Sequence, residues 1–556
     1  MSKHVLLVGV LALLLGGCMR LGFRASDDAS GATDAAPGEP ALPDGARDTN
    51  GPLDAATTEA VQPESDGPLH DAPNVDLPLP VADALQPVPD KGALLDLPQQ
   101  VPDIIQLVPD KGVAPDLPQQ ALDSLVPQGP VATAGGTGDD KGWVIALDGT
   151  GLYLGATFSD TIVVGGYKLV SQGGTDILLA RYSSSGQLVW VRSDGGPMDD
   201  HPGGLALDKS GNLHVIGTFS DTASIAGKPF TSAGNSDIFL ACFDSMGTPL
   251  WAKTFGTTQA EWGSDIVVDG NDNLQIVGTG GDGIDLGGGK LSGNSLVDVL
   301  LASFTSGGAH RRSALYGSGK ADSGQAIVAD ASGQIYITGS CLDAPSFGGG
   351  APLPFVGVVD LFLACFSDAG AHQWSKAFGS TGIDNGLDLA LDGKGNLYLA
   401  GYYGGPISFG GSHSLTHAGG YDGFVASFTV KGNTNWVQSA GGTGDDIASS
   451  VTVDSAGNVV TAGSFTGKAG VAQGSLISQG DTDAFLVSLT PAGAYRWAAS
   501  HGGALADGAY QVRRSPTLLP GTLFVTGYFS DTALVGGQKL VSTGGTDIFV
   551  AQQNEN

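Results

Sequence analysis

The sequence predicts an all-β chain: a seven-bladed β-propeller of four-stranded blades, preceded by a disordered stalk rich in proline, aspartate and alanine. Three observations carry the prediction. The phrase FSDTIVVGGYKLVSQGGTDI at 158–177 returns as FSDTALVGGQKLVSTGGTDI at 529–548, identical at 16 of 20 positions. Blurred copies lie between, in units that start at Gly135, Gly195, Gly256, Gly317, Gly379, Gly441 and Gly502, 60 to 62 residues apart. Each unit holds four short runs of Val, Leu, Ile, Phe and Tyr bounded by Gly, Asn and Asp, the signature of half-buried strands between tight turns.

The chain opens MSKHVLLVGVLALLLGGCMR. Lys3 and His4 precede an apolar run, Val5 to Leu15, that suits a signal h-region and is short for a membrane span. Residues 1–17 therefore read as a signal peptide. LGGC resembles the lipobox of bacterial lipoproteins, which implies lipidation of Cys18. Met19 in the following position, rather than Asp, implies by the same resemblance the outer membrane.

Residues 18–129 read as an acidic linker. Between 25 and 130 lie 18 of the 29 prolines, with PDKG at 89–92 repeated at 109–112. Aromatic residues are almost absent there, so little apolar surface offsets the entropy of ordering, while proline and like charge extend the chain.

Residues 130–556 form the predicted propeller. In unit five, GLDLALD, LYLAGYY, DGFVASF and NWVQSA are the four strands. No segment sustains a helical period, and a tandem array of this length means a propeller rather than separate domains. A parallel β-helix is the runner-up, but its repeat is shorter. Units one, two, four, five and six end with Trp190, Trp251, Trp374, Trp436 and Trp497, each five positions before the next unit. Unit seven stops after DIFVAQQ without a fourth strand. PVATA at 130–134 stands before GGTGDD as WVQSA does at 436–440, so the N-terminal strand closes the last blade and removes an exposed edge.

GGTGDD, VTVDSAGNVVTAGSF and DAFLVSLTPAG resemble the SBBP-type β-propeller repeat of bacterial surface and secreted proteins. With the lipobox and stalk, the resemblance extends to proteobacterial and myxobacterial envelope lipoproteins. It implies a fold and an extracytoplasmic setting, without a catalytic activity. RRSPTLLPGT in unit seven departs from the pattern by replacing the usual Asp turn.

Three acidic positions recur. Asp140, Asp200, Glu261, Asp322, Asp384, Asp446 and Asp507 precede the innermost strands. Asp176, Asp237, Asp298, Asp360, Asp422, Asp483 and Asp547 open the third strands. Asp148, Asp208, Asp269, Asp330, Asp392 and Asp454 open the first hairpin turns, where Asp accepts backbone N–H bonds. The first set is the candidate ligand or cation face, placed at the channel mouth beside the glycine-rich excursions between strands two and three. The second set reads as structural. Within one blade the two sets stand two ladder spacings apart, roughly 10 Å, too far to share a Ca2+ ion, so turn-capping outweighs cation binding and no metal is assigned.

Cys242, Cys341 and Cys365 read as buried free thiols. His413 and His417 have metal-like spacing without a third ligand. GTGGDG at 278–283 matches a dinucleotide pattern, but no helix follows it. No G-x-S-x-G, HExxH or Walker motif occurs, and no enzyme activity or cofactor is expected. The net charge of −31 excludes nucleic acid as a partner.

The expected function is a lipid-anchored, monomeric binding or scaffolding module at the outer membrane, with a protein or glycan ligand. Two alternatives stand beside it. ACFDSMGTPLW at 241–251 resembles the tryptophan-docking motif of quinone-dependent dehydrogenase propellers, and an outer-membrane assembly lipoprotein would share the anchor and stalk.

Overall fold

The computed structural model describes residues 128–471, 474–515, 519 and 521–555, with side chains from Ala132 onward. The signal peptide, Cys18 and the stalk expected from the sequence lie outside the described residues.

The chain is a seven-bladed propeller. Each blade is a four-stranded antiparallel sheet in up-and-down order. The innermost strands are Lys141–Leu147, His201–Leu207, Trp262–Val268, Asp322–Ala329, Asn385–Leu391, Ile447–Val453 and Gly508–Arg514. Each lies against the innermost strand of the next blade, and the seventh lies against the first, so the ring is closed. The seventh blade takes its fourth strand from the N-terminal side: Gln128–Gly136 runs antiparallel to Gln538–Asn554, with Ala134 opposite Ile548.

Second and third strands are apolar on both faces because each blade is sandwiched between two others, which explains continuous runs such as DIFLACF and DLFLACF. Seven apolar clusters fill the seven gaps between blades. Tyr153 and Ile177 of the first blade, for example, pack on Val215 and Phe239 of the second.

The excursions between strands two and three are ordered in most blades rather than open loops. They form short hairpins, as at Thr161–Val164 with Tyr167–Val170 and Thr222–Ile225 with Lys228–Thr231. In blades six and seven they extend the second and third strands outright. In blades one, two, four, six and seven they pair back onto the outer edge of the preceding blade: Val163 with Gly135, Ser224 with Gly195, Ser346 with Gly317, Gly470 with Gly441, and Leu534 with Gly502. These overhangs join blades five, six and seven into one continuous ladder.

The interblade tryptophans dock in the opposite direction, onto the following blade. The indole of Trp190 lies over Gly247 and donates to the Ser245 carbonyl at 3.1 Å; Trp374 lies over Gly432 and Trp436 over Gly493. These glycines sit at φ near 80°, and a side chain there would strike the ring. Blade three has no tryptophan at this position, and Arg312 takes its place over Gly370, donating to the Asp368 carbonyl at 2.8 Å.

Candidate functional site

The seven acids expected around the channel mouth are not on a solvent surface. Asp140, Asp200, Glu261, Asp322, Asp384, Asp446 and Asp507 are at most 1% exposed. In six of them one carboxylate oxygen accepts the N–H four residues earlier, from Gly196 to Asp200 at 2.7 Å and from Gly442 to Asp446 at 2.6 Å, for example. In four, the second oxygen accepts an N–H from the end of the second strand, as from Ser530 to Asp507 at 2.8 Å.

The third-strand acids are equally buried, and all seven accept the N–H four residues earlier, as from Gln479 to Asp483 at 2.7 Å. Their partners are not the first-set acids of their own blade. Each meets the first-set acid of the following blade across the seam, with the unit-initial glycine between them. An added Cβ on Gly502 would stand 2.3 Å from Asp483 Oδ1 and 2.9 Å from Asp507 Oδ2. On Gly195 it would meet Asp176 and Asp200, and on Gly317 Asp322 and Asp298. The repeat begins with glycine because a carboxylate fills the place of a side chain.

Two buried carboxylates this close cannot both ionise cheaply. Burial first, and then the neighbouring Asp547, pushes Asp140 up to about 8. Asp200, Asp322, Asp446 and Asp507 rise to about 7 by burial, with the paired aspartate adding to it. Asp360 rises to about 7, by burial and then Asp384, and Asp176 and Asp483 rise to about 6 by burial. The Oδ1 atoms of Asp176, Asp360, Asp422, Asp483 and Asp547, and both oxygens of Asp140, meet no donor in hydrogen-bond geometry. The N–H groups of Gly136 and Ser159 lie near enough to Asp140 only to oppose its rise. Burial and the pairing across the seam thus both favour the neutral form of these carboxyls.

The third acidic set caps turns: Asp208 accepts from Ser210 and Asn212, and Asp454 from Ala456 and Asn458, at 2.7–2.9 Å. Among the described residues no group of three or more His, Cys, Asp or Glu side chains is arranged to hold a metal, and His417 instead contacts the Gly420 carbonyl at 2.8 Å. The three thiols are buried and free, and burial pushes Cys242 and Cys365 up to about 12.

At the mouth where the innermost strands begin, the channel is filled. Trp143 stacks on Tyr510 with ring centroids 4.2 Å apart and meets the edge of His201 at 4.9 Å. Trp262, Gln325 and Leu387 complete the plug, leaving a cavity of about 50 Å³.

The larger cavity, about 380 Å³, lies toward the opposite end of the innermost strands. Here the sequence reading missed the charged residues. Every innermost strand carries a β-bulge at the same point, between Gly263 and Asp265 in blade three and Gly386 and Asp388 in blade five. The side chain just past the bulge faces neighbouring backbone. Asp265 accepts the N–H groups of Ile266 and Ile327 at 2.8 and 3.0 Å, so it clamps its own blade to the next. Asp388 does the same with Leu389 and Val451, and Gln511 accepts from Ile145 across the closing seam. Arg513 reaches Asp388 at 2.9 Å and the Ser450 hydroxyl at 3.0 Å. Burial raises Asp265 to about 7, opposed by the Arg513 charge and reinforced by Asp388. Its exposed surface faces the lumen. The available signal was a charge inside an apolar strand, in GSDIVV and GLDLAL.

No protein-family model matches the chain. It is 26% identical over 239 residues to an uncharacterised WD repeat-containing protein of Acanthamoeba polyphaga mimivirus, covering 41% of this chain and 13% of that protein. It is 26% identical over 284 residues to the regulatory protein FlaEY of Caulobacter vibrioides, covering 50% of this chain and 24% of that one. The chain therefore spans less than a quarter of the length of either curated relative. Among solved structures, Sqt1 from Chaetomium thermophilum superposes with a TM-score of 0.37 at 10% identity, covering 75% of this chain and 86% of that one. A gluconolactonase of Xanthomonas campestris gives 0.31 at 12% identity, covering 77% and 98%. Likenesses this loose transfer no activity.

Proposed function

We propose that the chain is an envelope-displayed binding module: a propeller of the SBBP-like type, tethered through a lipid on Cys18 and an acidic stalk, that takes an extracytoplasmic protein or glycan ligand. The observation that supports binding is the channel cavity of about 380 Å³, which falls in the size range of ligand pockets, ~300–1,000 Å³. Its polar groups sit on rigid, bulge-locked strands, the arrangement that lowers the ordering cost of a site. The tryptophan motif that resembles quinone-dependent dehydrogenases lends the enzyme reading no weight, because Trp251 docks onto Gly308 of the next blade.

Fractionation of cells carrying Cys18→Ala tests the anchor. The variant leaves the membrane fraction if Cys18 is acylated, and a variant that stays with membranes refutes it. Thermal-shift screening of the purified protein against glycans and peptides tests binding. A ligand that raises the melting temperature supports the module, and a screen in which none does refutes it. Outer-membrane proteins that co-purify in stoichiometric amount would favour the assembly role instead.

A further inference from the structure

We infer that the seam between blades seven and one binds an indole-type ring brought by a ligand, seated over Gly186. The inference goes beyond the channel cavity and does not depend on it.

The other blades show what such a seat holds. In blades two to six the turn between the third and fourth strands carries a glycine at φ of 79–82°, and a flat group from the preceding blade lies over it. Four of these groups are the indoles of Trp190, Trp251, Trp374 and Trp436, and one is the guanidinium of Arg312. Trp190, Trp374 and Trp436 donate Nε1–H to the carbonyl two residues before the glycine, those of Ser245, Val430 and Pro491, at 2.9–3.1 Å.

Blade one has the same turn. Gly186 stands at φ 77° and donates to the Ser183 carbonyl at 2.9 Å, as Gly247 does to that of Asp244. No ring of the chain covers it. The third strand DIFVAQQ of blade seven matches DAFLVSL of blade six, and Val131 stands opposite Ala551 as Ala498 stands opposite Val487. Pro130 therefore falls where blade six has Trp497, and proline offers neither an aromatic face nor an N–H donor. Gly186 is exposed, whereas the other five glycines are buried or half-buried, and no described atom lies within 4 Å of a Cβ built on it. Among the described residues no donor reaches the Ser184 carbonyl, the counterpart of those at Ser245, Val430 and Pro491. The chain's seven tryptophans all stand elsewhere: four are docked, Trp143 and Trp262 are in the plug, and Trp497 packs between blades six and seven. An indole over Gly186 must come from outside the chain.

The space is there to receive it. A cavity of about 310 Å³ spans the seam at Gly186. Leu152 and Tyr182 of blade one and Phe524 and Val550 of blade seven give it an apolar wall, while Gln552 and the serines of the turn are polar. The volume exceeds the ~150 Å³ that holds one benzene ring. No charged side chain lines it among the described residues, so a neutral ring fits better than a guanidinium such as Gly370 receives, because an unpaired enclosed charge is costly. The bare glycine lets a flat face approach, the rings of Tyr182 and Phe524 offer aromatic contacts, and the Ser184 carbonyl takes a ring N–H.

The test titrates the full chain calorimetrically with indole, 1-methylindole and N-acetyltryptophanamide at pH 7.5. Indole is expected to bind, and 1-methylindole to bind about fivefold more weakly through the loss of one neutral hydrogen bond. Pro130→Trp, which restores the ring that the repeat supplies elsewhere, is expected to raise the melting temperature and abolish indole binding. Tighter binding of N-acetyltryptophanamide than of indole supports the seat with a tryptophan of a protein partner as its occupant, and the reverse order supports it with a free small molecule. No binding of indole, equal binding of indole and 1-methylindole, or undiminished binding by Pro130→Trp overturns the inference. If Pro130→Trp does not fold, Gly186→Leu closes the same seat from the turn side, and undiminished indole binding by that variant overturns the inference equally.

Discussion

Replacing Asp446 by asparagine tests whether the seams carry protons. Asp446 is fully buried, pairs across the seam with Asp422, and titrates at about 7 against 3.8 for an ordinary aspartate. Below pH 3.8 the folded and unfolded chains both hold the proton. Between 3.8 and 7 the unfolded chain releases it and the folded chain keeps it, so this stability is lost as pH rises, by ~1.4 kcal/mol per pH unit and about 4 kcal/mol in all. Asparagine is neutral throughout and removes that slope. It also puts an NH2 where one oxygen accepted the N–H of Gly442 at 2.6 Å or Thr466 at 3.3 Å, which costs about 1–3 kcal/mol at every pH. Wild type is therefore the more stable near pH 4, and the gap closes or reverses by pH 8. Urea unfolding of both chains at pH 5 and pH 8 should show the gap moving by about 3 kcal/mol in favour of the variant; the other six seams cancel in the comparison. A gap constant with pH would mean that Asp446 is an ordinary ionised turn cap, and the reasoning fails.

Gly441→Ala places a Cβ 2.4 Å from Asp422 Oδ1 and is expected to cost about 1–3 kcal/mol in the same assay, with less than additive loss when combined with Asp422→Ala. Trp436→Ala removes the indole from over Gly493 and its 2.9 Å bond to the Pro491 carbonyl, for an expected loss of about 1–3 kcal/mol by thermal unfolding. Deleting residues 126–134 strips blade seven of its fourth strand and should lower the melting temperature by the equivalent of several kcal/mol, whereas deleting 56–80 should leave the melting curve unchanged.

The architecture was legible because it is written seven times. Period, strand runs and the missing fourth strand of unit seven each follow from local pattern, and Ala134 opposite Ile548 is where PVATA places it. The acid pairing was hidden by a choice of neighbour. Taken within a blade, Asp140 and Asp176 stand two strands apart; across the seam, Asp176 and Asp200 are adjacent. The spacing of 24 residues from each third-strand acid to the next first-set acid, 176 to 200 and 483 to 507 alike, held that information. Asp265, Asp388 and Arg513 were harder because they break the repeat rather than follow it. A pattern that averages units discards a charge present in only one or two. The plug of Trp143, His201 and Tyr510 was invisible for the same reason, since three different residue types from three blades fill one space.

The closing strand has a consequence for how the chain comes to be folded. Six seams join segments about one repeat apart, so each can form as soon as the next blade exists. Closing the ring also requires Ala134 to pair inside blade seven with Ile548, more than four hundred residues away. Loop-closure entropy grows only slowly with length, but such a contact cannot form until the last strand has been made, and long-range pairing of this kind is slow. Until then the growing protein is an open arc with one unpaired edge at each end, the state most prone to pair with another chain. Completion of the ring is thus the last and slowest event, and the interval before it is when the molecule is most exposed to misassembly.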